Sequence, residues 1–334
     1  MRNTNLITRR YDMVASINLE NGKRVFFNAL AVIALVLCIG VLSRPLFAEQ
    51  TAGTQTVFQS PEEAMKAFVD ALQADDTQKI MTILGPDSKD VVYSGDEVAD
   101  KNNHAKFIKG YQEKVKFVAD KDRVSVIIGN DNYPMAIPLV KKDAGWVFDT
   151  SAGRQELLKR RIGRNELIAI KVCQNYVQAQ REYSSVDRDL DGIMQYAQRF
   201  CSNPGKRDGL YWEAPETEVP SPLDPLVAAA AGEGYTSGAV CPITPAPYHG
   251  YLYKILPGQG PDAPGGAYSY VINGNMVAGF ALVAWPAQYG VSGVMTFIVN
   301  QNGIVYENDL GAGTDEAAKA MTNYDPDSAW SRAK

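Results

Sequence analysis

The chain has 334 residues, 46% of them hydrophobic and 21% charged, the composition of an ordinary folded protein with length enough for two cores. Its formal net charge is −5, and no basic, aromatic-interleaved stretch runs against that balance, which argues against nucleic acid or anionic headgroups as partners. Two histidines, His104 and His249, cannot build a zinc site without cysteines or acids from elsewhere.

In chain order, the first element is a targeting segment. Lys23-Arg24 precede the apolar run Val25–Leu42, and small Ala48 closes it before polar EQTAGTQ. That pattern predicts a secretory signal cleaved near Ala48. Met13 offers an alternative start, and the 18-residue run is also long enough to act as an uncleaved anchor. Residues 1–48 hold six Lys/Arg and two Asp/Glu, so the remainder has 27 basic and 36 acidic residues, net −9. The expected location is periplasmic or extracellular. Cys173, Cys201 and Cys241 stay with the exported part. An odd count admits one disulfide and a leftover thiol, or three unpaired thiols, and no CxxC supports a redox role.

Ser60-Pro61-Glu62-Glu63 reads as a helix start with a capping box. A second helix begins at Asp76 and stops at Gly85-Pro86, and a third runs near Ala105–Lys116 with Phe107, Ile108, Tyr111 and Val115 inward. Strand signals follow at Arg123–Ile128, Met135–Val140 and Trp146–Asp149. The longest helical run spans Arg154–Ser184, punctuated at Gly163, with Leu167, Ile170, Tyr176 and Val177 as its buried stripe. Short helices are expected at Ile193–Phe200 and Pro225–Ala231. From Tyr248 to Leu310 come five short strands joined by Gly, Pro and Asn-Gly turns. The fold class is therefore α+β in two domains, residues 59–150 and 154–334.

Helices followed by a meander ending in GWVFDT resemble the cone of nuclear-transport-factor-2-like domains, with helices packed on a curved sheet. A long helix before an antiparallel meander, with strings such as AWPAQYGVSGVMTFIVNQNGIVY, resembles the globular end of pilin-like and pseudopilin-like proteins. Here the helix lacks an apolar, membrane-embedding half. Longer strings, among them GWVFDTSAGRQELLKRRIGRNELIAI, REYSSVDRDLDG and GPDAPGGAYSYVINGNM, resemble a bacterial exported family known as domain of unknown function 2950. The resemblance covers nearly all of the exported part. It implies a secreted or periplasmic two-part protein and lends no catalytic residues.

The sharpest local signal is Asp187-Arg188-Asp189-Leu190-Asp191-Gly192. Carboxylates at loop positions 1, 3 and 5 before a glycine form the opening half of a calcium loop, with Ile193 giving a carbonyl and Gln195 a water-mediated contact. Gln198 stands where the closing bidentate Glu is wanted, so affinity is expected to be weak. The competing reading is a solvated turn held by Asx hydrogen bonds.

Nucleophile motifs are absent. Ser292 in GVSG lies between strands, without the strand-to-helix setting of a nucleophile elbow. The aromatic set Tyr248, Tyr251, Tyr253, Tyr268, Tyr270, Trp285 and Tyr289 reads first as a core face and second as a recognition surface. The leading expectation is a non-enzymatic envelope protein that binds or assembles, its partner an envelope protein or a surface ligand. Two alternatives stand beside it. One is an envelope hydrolase with a pocket in the first domain, lined by Tyr93, His104, Asp131 and Tyr133. The other is a calcium-stabilised structural component. A first domain filled by Phe68, Phe107, Val126, Trp146 and Phe148 would leave the hydrolase without its site.

Overall fold

The segment after Gln55 folds because apolar residues recur at helical spacing behind a strong cap. The computed structural model describes residues 55–188, 190–215, 217–235 and 246–334; the expected targeting segment at residues 1–48, Asp189 and Cys241 lie outside them. Helix α1 (Pro61–Gln73) begins with the expected cap: the Glu63 N–H donates to Ser60 Oγ at 3.1 Å, while the Glu63 carboxylate reaches one residue beyond the N-cap and accepts from the Gln59 N–H at 2.9 Å. Helix α2 (Thr77–Leu84) is capped by Asp76 and ends at Gly85, whose φ of +95° few other residues would adopt. A 3₁₀ turn leads into the single-turn α3 (Lys89–Val92), and α4 (Glu97–Glu113) follows, capped by Asp96.

The expected helix at Ala105–Lys116 is thus both longer and earlier. Val115 leaves it to open strand β1 (Val115–Asp120), which hairpins onto β2 (Arg123–Ile128). The run from Val115 to Ile128 is β-rich, and pairing in register over six positions outweighs any continued helix. Strands β3 (Tyr133–Pro134), β4 (Leu139–Lys142) and β5 (Gly145–Phe148) complete an antiparallel sheet in the order β1-β2-β4-β5, with β3 also on β2. The helices cover it around Phe68, whose ring meets Phe107 at 5.6 Å and Phe148 at 5.4 Å. Val126 and Leu139 are fully buried beneath them.

Helix α5 runs unbroken through Gly163, from Thr150 to Tyr183. Its buried face is Asn165, Ala169, Val172, Cys173, Tyr176, Val177 and Gln180. Leu167, expected inside, is 66% exposed; the helix is rotated so that small Ala169 and Cys173 let the backbone approach the second sheet. That sheet is antiparallel in the order β15-β13-β12-β11-β6, from β6 (Tyr251–Leu256), β11 (Ala281–Pro286), β12 (Thr296–Asn300), β13 (Tyr306–Asn308) and β15 (Ser331–Arg332). Every residue of β11 and β12 is buried, because α5 covers one side and α7 (Thr314–Ala320) the other. Two small sheets organise the long 257–277 excursion: β7 (Gly258–Gln259) pairs with β8 (Tyr268–Ser269) and with β14 (Asn323–Tyr324) from near the C-terminus, and β9 (Val271–Ile272) pairs with β10 (Asn275–Met276).

Helix α6 (Asp224–Gly232) forms where expected, but no helix forms at 193–200. That backbone is taken sideways: the Tyr196 N–H donates to the Met276 carbonyl at 2.7 Å, and the buried Gln180 amide donates to and accepts from Ala197, both at 2.8 Å. Residues 53–334 form one compact unit with two hydrophobic cores, one on each side of Asp149–Thr150. Among the described residues no helix is long and apolar enough to cross a membrane.

Candidate functional site

Two arginines one α5 face apart hold the Gly85–Gly95 segment against the helix start. Arg161 is buried, and its guanidinium donates to the carbonyls of Asp90 at 2.6 Å and Val91 at 2.5 Å. Burial pulls its pKa below the usual arginine range, with Asp100 opposing. Arg154, two turns earlier, forms an ion pair with the Asp90 carboxylate. Thr150 adds a hydrogen bond to the Leu84 carbonyl at 2.6 Å, and Asp149 caps the helix through the Ala152 N–H.

These contacts leave a cleft of 640 Å³ lined by Pro86, Asp87, Lys89, Asp90, Tyr93, Ser151, Arg154, Gln155 and Gln288. Gln288 comes from the loop after β11 and lies over Gly95; a β-carbon there would sit 2.7 Å from its amide nitrogen. The lining offers two cations, two carboxylates, two amides and a phenol. Such a surface matches a polar ligand carrying both donors and acceptors. Ser151 donates to Asp149 at 3.0 Å, and neither histidine lines the cleft.

Deeper, a polar junction joins the two cores. Asp96 is 2% exposed, and its Oδ2 accepts from the Tyr235 hydroxyl at 2.8 Å and the Gly250 N–H at 2.9 Å. Its other oxygen caps α4 through the Ala99 N–H at 3.0 Å. His249 lies 2.8 Å from the Glu233 carboxylate, and Asn102 donates to the Glu233 carbonyl at 2.7 Å. Burial pushes the Tyr235 phenol far up, with Asp96 adding to it, and lifts Tyr248 to about 12. Burial also lowers His249, against the pull of Glu233 and Asp96. With its bonds satisfied, the junction reads as a joint.

The pocket residues foreseen for a hydrolase are dispersed. Tyr93 lines the cleft, but Tyr133 lies under the Arg160 guanidinium at 5.1 Å and His104 lies on α4 beside Asp100. Asp131 belongs to the β2–β3 turn. Phe68, Val126 and Phe148 fill the interior, and Phe107 and Trp146 pack against it. Ser292 is fully buried, its hydroxyl accepting from the Gln288 N–H and donating to the Gln288 carbonyl. In the aromatic set Tyr251, Tyr270 and Trp285 are core residues, while Tyr268 and Tyr289 remain on the rim.

In the acidic loop, Asp187 accepts from the N–H groups of Leu190 at 2.8 Å and Gly192 at 2.9 Å, and Asp191 accepts from Ile193 at 2.8 Å. Gln198 is committed elsewhere, donating to the Gly274 carbonyl at 2.6 Å. Gln195 lies just before the bridge at Tyr196. Among the described residues, which exclude Asp189, no three His, Cys, Asp or Glu side chains gather as a metal group. Cys173 is free and buried, its thiol pushed up to about 12 by burial. Cys201 is disulfide-bonded, with its partner outside the described residues.

Sequence reasoning missed Asp96, Tyr235, Asp90, Arg154 and Arg161. Only Asp96 carried a local signal, standing before Glu97 as an N-cap does. A family profile described as Protein of unknown function (DUF2950) matches residues 55–333. No curated protein and no solved structure matches the chain.

Proposed function

The chain belongs to that DUF2950 family, and from this premise we propose that it is an exported cell-envelope protein that works by binding and not by catalysis, with the 640 Å³ cleft as its ligand surface. The observation that carries the reading is the contrast between the two candidate pockets. The interior of the first core is filled by Phe68, Val126 and Phe148, while the open cleft is lined by paired charges and amides with no histidine among them. A surface of that kind recognises a polar ligand and supplies no activated nucleophile.

Export is supported by the leader pattern at residues 1–48 and by the disulfide at Cys201, which accords with an oxidising compartment. The acidic excess of the exported part argues for a protein or surface ligand over nucleic acid. The α+β organisation, helices on an antiparallel sheet in each half, is compatible with the cone-like and pilin-like resemblances, which remain part of this proposal. Calcium belongs to this reading as a weak structural ion of the Asp187–Gly192 loop.

Fractionation of expressing cells, followed by N-terminal sequencing of the recovered chain, is expected to find it in the envelope fraction starting near Glu49. Recovery of the intact leader in the cytoplasm would sink the export reading. Purified protein is expected to leave p-nitrophenyl acetate and p-nitrophenyl phosphate untouched. Turnover that disappears in Tyr93→Phe would transfer the cleft to a hydrolase.

A further inference from the structure

The two edges of the first sheet are treated differently. At one end β5 is capped by Phe58, which exchanges backbone hydrogen bonds with Trp146 at 2.9 and 2.7 Å. At the other end β1 pairs with β2 alone among the described residues, and five of its six residues are exposed. The strand is continuous, without proline or bulge, and its charged residues are Lys116 and Asp120. An edge of this kind is a template for another strand.

Which backbone groups face outward follows from the ladder. Asp122 and Val126 accept from Lys141 and Met135, so the even-numbered residues of β2 bond away from β1. Arg123, Ser125 and Ile127 therefore bond toward β1, and their partners Asp120, Val118 and Lys116 turn their amides and carbonyls inward. Val115, Phe117 and Ala119 present theirs to the open edge.

We propose that β1 pairs antiparallel with β1 of a second copy, with Val118 on the two-fold axis. Hydrogen-bonded pairs must join outward-facing residues, which leaves three close registers. Setting Phe117 opposite itself places Lys116 against Val118. Setting Ala119 opposite itself places Asp120 against Val118 and sets Lys116 against Asp122, a residue of the β1–β2 turn beyond the end of the strand. Only the register with Phe117 opposite Ala119 sets Lys116 against Asp120, and the two-fold axis does so twice. Lys116, Val118 and Asp120 alternate onto one face, while half-buried Phe117 extends the helix-covered layer across the axis. The strand is thus complementary to itself in charge, in side-chain size and in backbone polarity. This inference stands apart from the cleft and from export.

Val118 would be a non-hydrogen-bonded pair with its own copy, with α-carbons about 4.5 Å apart, a spacing a disulfide accepts. Mild oxidation of the full-length Val118→Cys chain is expected to give a covalent dimer. Phe117→Cys, which would face Ala119, is expected to give none beyond the parent chain. In sedimentation equilibrium, Lys116→Glu is expected to raise the dimer dissociation constant by about tenfold, and Lys116→Glu/Asp120→Lys to restore it. Circular dichroism checks that each variant is folded. A parent chain that stays monomeric up to about 100 μM overturns the proposal, a concentration at which even micromolar dimers are populated. So does Val118→Cys cross-linking no faster than Phe117→Cys, or a double reversal as weak as the single one.

Discussion

The carboxylate of Asp96 and the phenol of Tyr235, 139 positions apart, meet at 2.8 Å in a site that leaves Asp96 only 2% exposed. The same carboxylate caps α4 and receives the Gly250 N–H, so one side chain ties a helix start to the entry of the second sheet. Removing it orphans three donors. Asp96→Ala is expected to lower stability by about 2–4 kcal/mol, and Tyr235→Phe by about 1–2 kcal/mol. Urea unfolding measures both; a neutral Tyr235→Phe would show that the junction does not depend on the phenol.

Acidification is expected to loosen the protein through its two histidines. Burial lowers His104, against Asp100 and Asp75, and lowers His249, against Glu233 and Asp96. Each ring therefore binds a proton more readily in the unfolded chain. Stability is full above the unfolded value of about 6.5 and declines as pH falls through it toward the folded values. Both rings keep some solvent, so a fall in Tm of roughly 1–3 °C between about pH 7.5 and 5.5 is expected. His104→Asn/His249→Asn flattens it, asparagine also tolerating the φ of +47° at His249. Asp100, raised by burial, acts in the opposite sense at lower pH. A slope unchanged in the double variant would place the titration elsewhere.

Two glycines of α5 carry opposite predictions. A β-carbon at Gly153 would lie 2.5 Å from the Ala136 carbonyl oxygen and the Ile137 α-carbon, whereas one at Gly163 meets nothing within 4 Å. Gly163→Ala is expected to add about 0.5–1 kcal/mol through helix propensity. Gly153→Ala is expected to cost about 1–3 kcal/mol, because backbone must move. Thermal denaturation separates the two. Equal gains would mean that α5 does not press on the 136–137 strand entry.

Calcium at the Asp187–Gly192 loop is expected to bind with a dissociation constant weaker than about 10⁻⁴ M, because Gln198 brings no charge and is held by the Gly274 carbonyl. Titration calorimetry on the purified protein measures it, and Asp187→Ala is expected to abolish the heat. No heat and no shift in Tm with the parent chain would remove calcium from the protein altogether.

Where the sequence could be read, a local rule was strong. Ser60, Asp76 and the glycine at 85 marked helix ends because capping and positive φ act within a turn of chain. Ile193–Phe200 and Leu167 went the other way. Helical spacing invited a helix and a buried leucine, but Gln180 and Met276 claimed the first backbone, and the small residues at 169 and 173 set the rotation of α5. Strand β1 was hidden because its start continues a helical pattern, and only the six-position register with β2 decides it.

The amino-acid sequence by itself determined the family, the α+β class, the leader pattern, the acid excess and the incomplete acidic loop. Each depends on residue identity or on spacing over a few turns. Tertiary structure decided which pocket is open, which charges meet and which sheet edge is left free. The cleft needs Gln288 beside Arg154, and the joint needs Asp96 beside Tyr235. Those pairs are separated by 134 and 139 residues, a distance over which no periodicity carries information and only the packing of two cores on one helix can act.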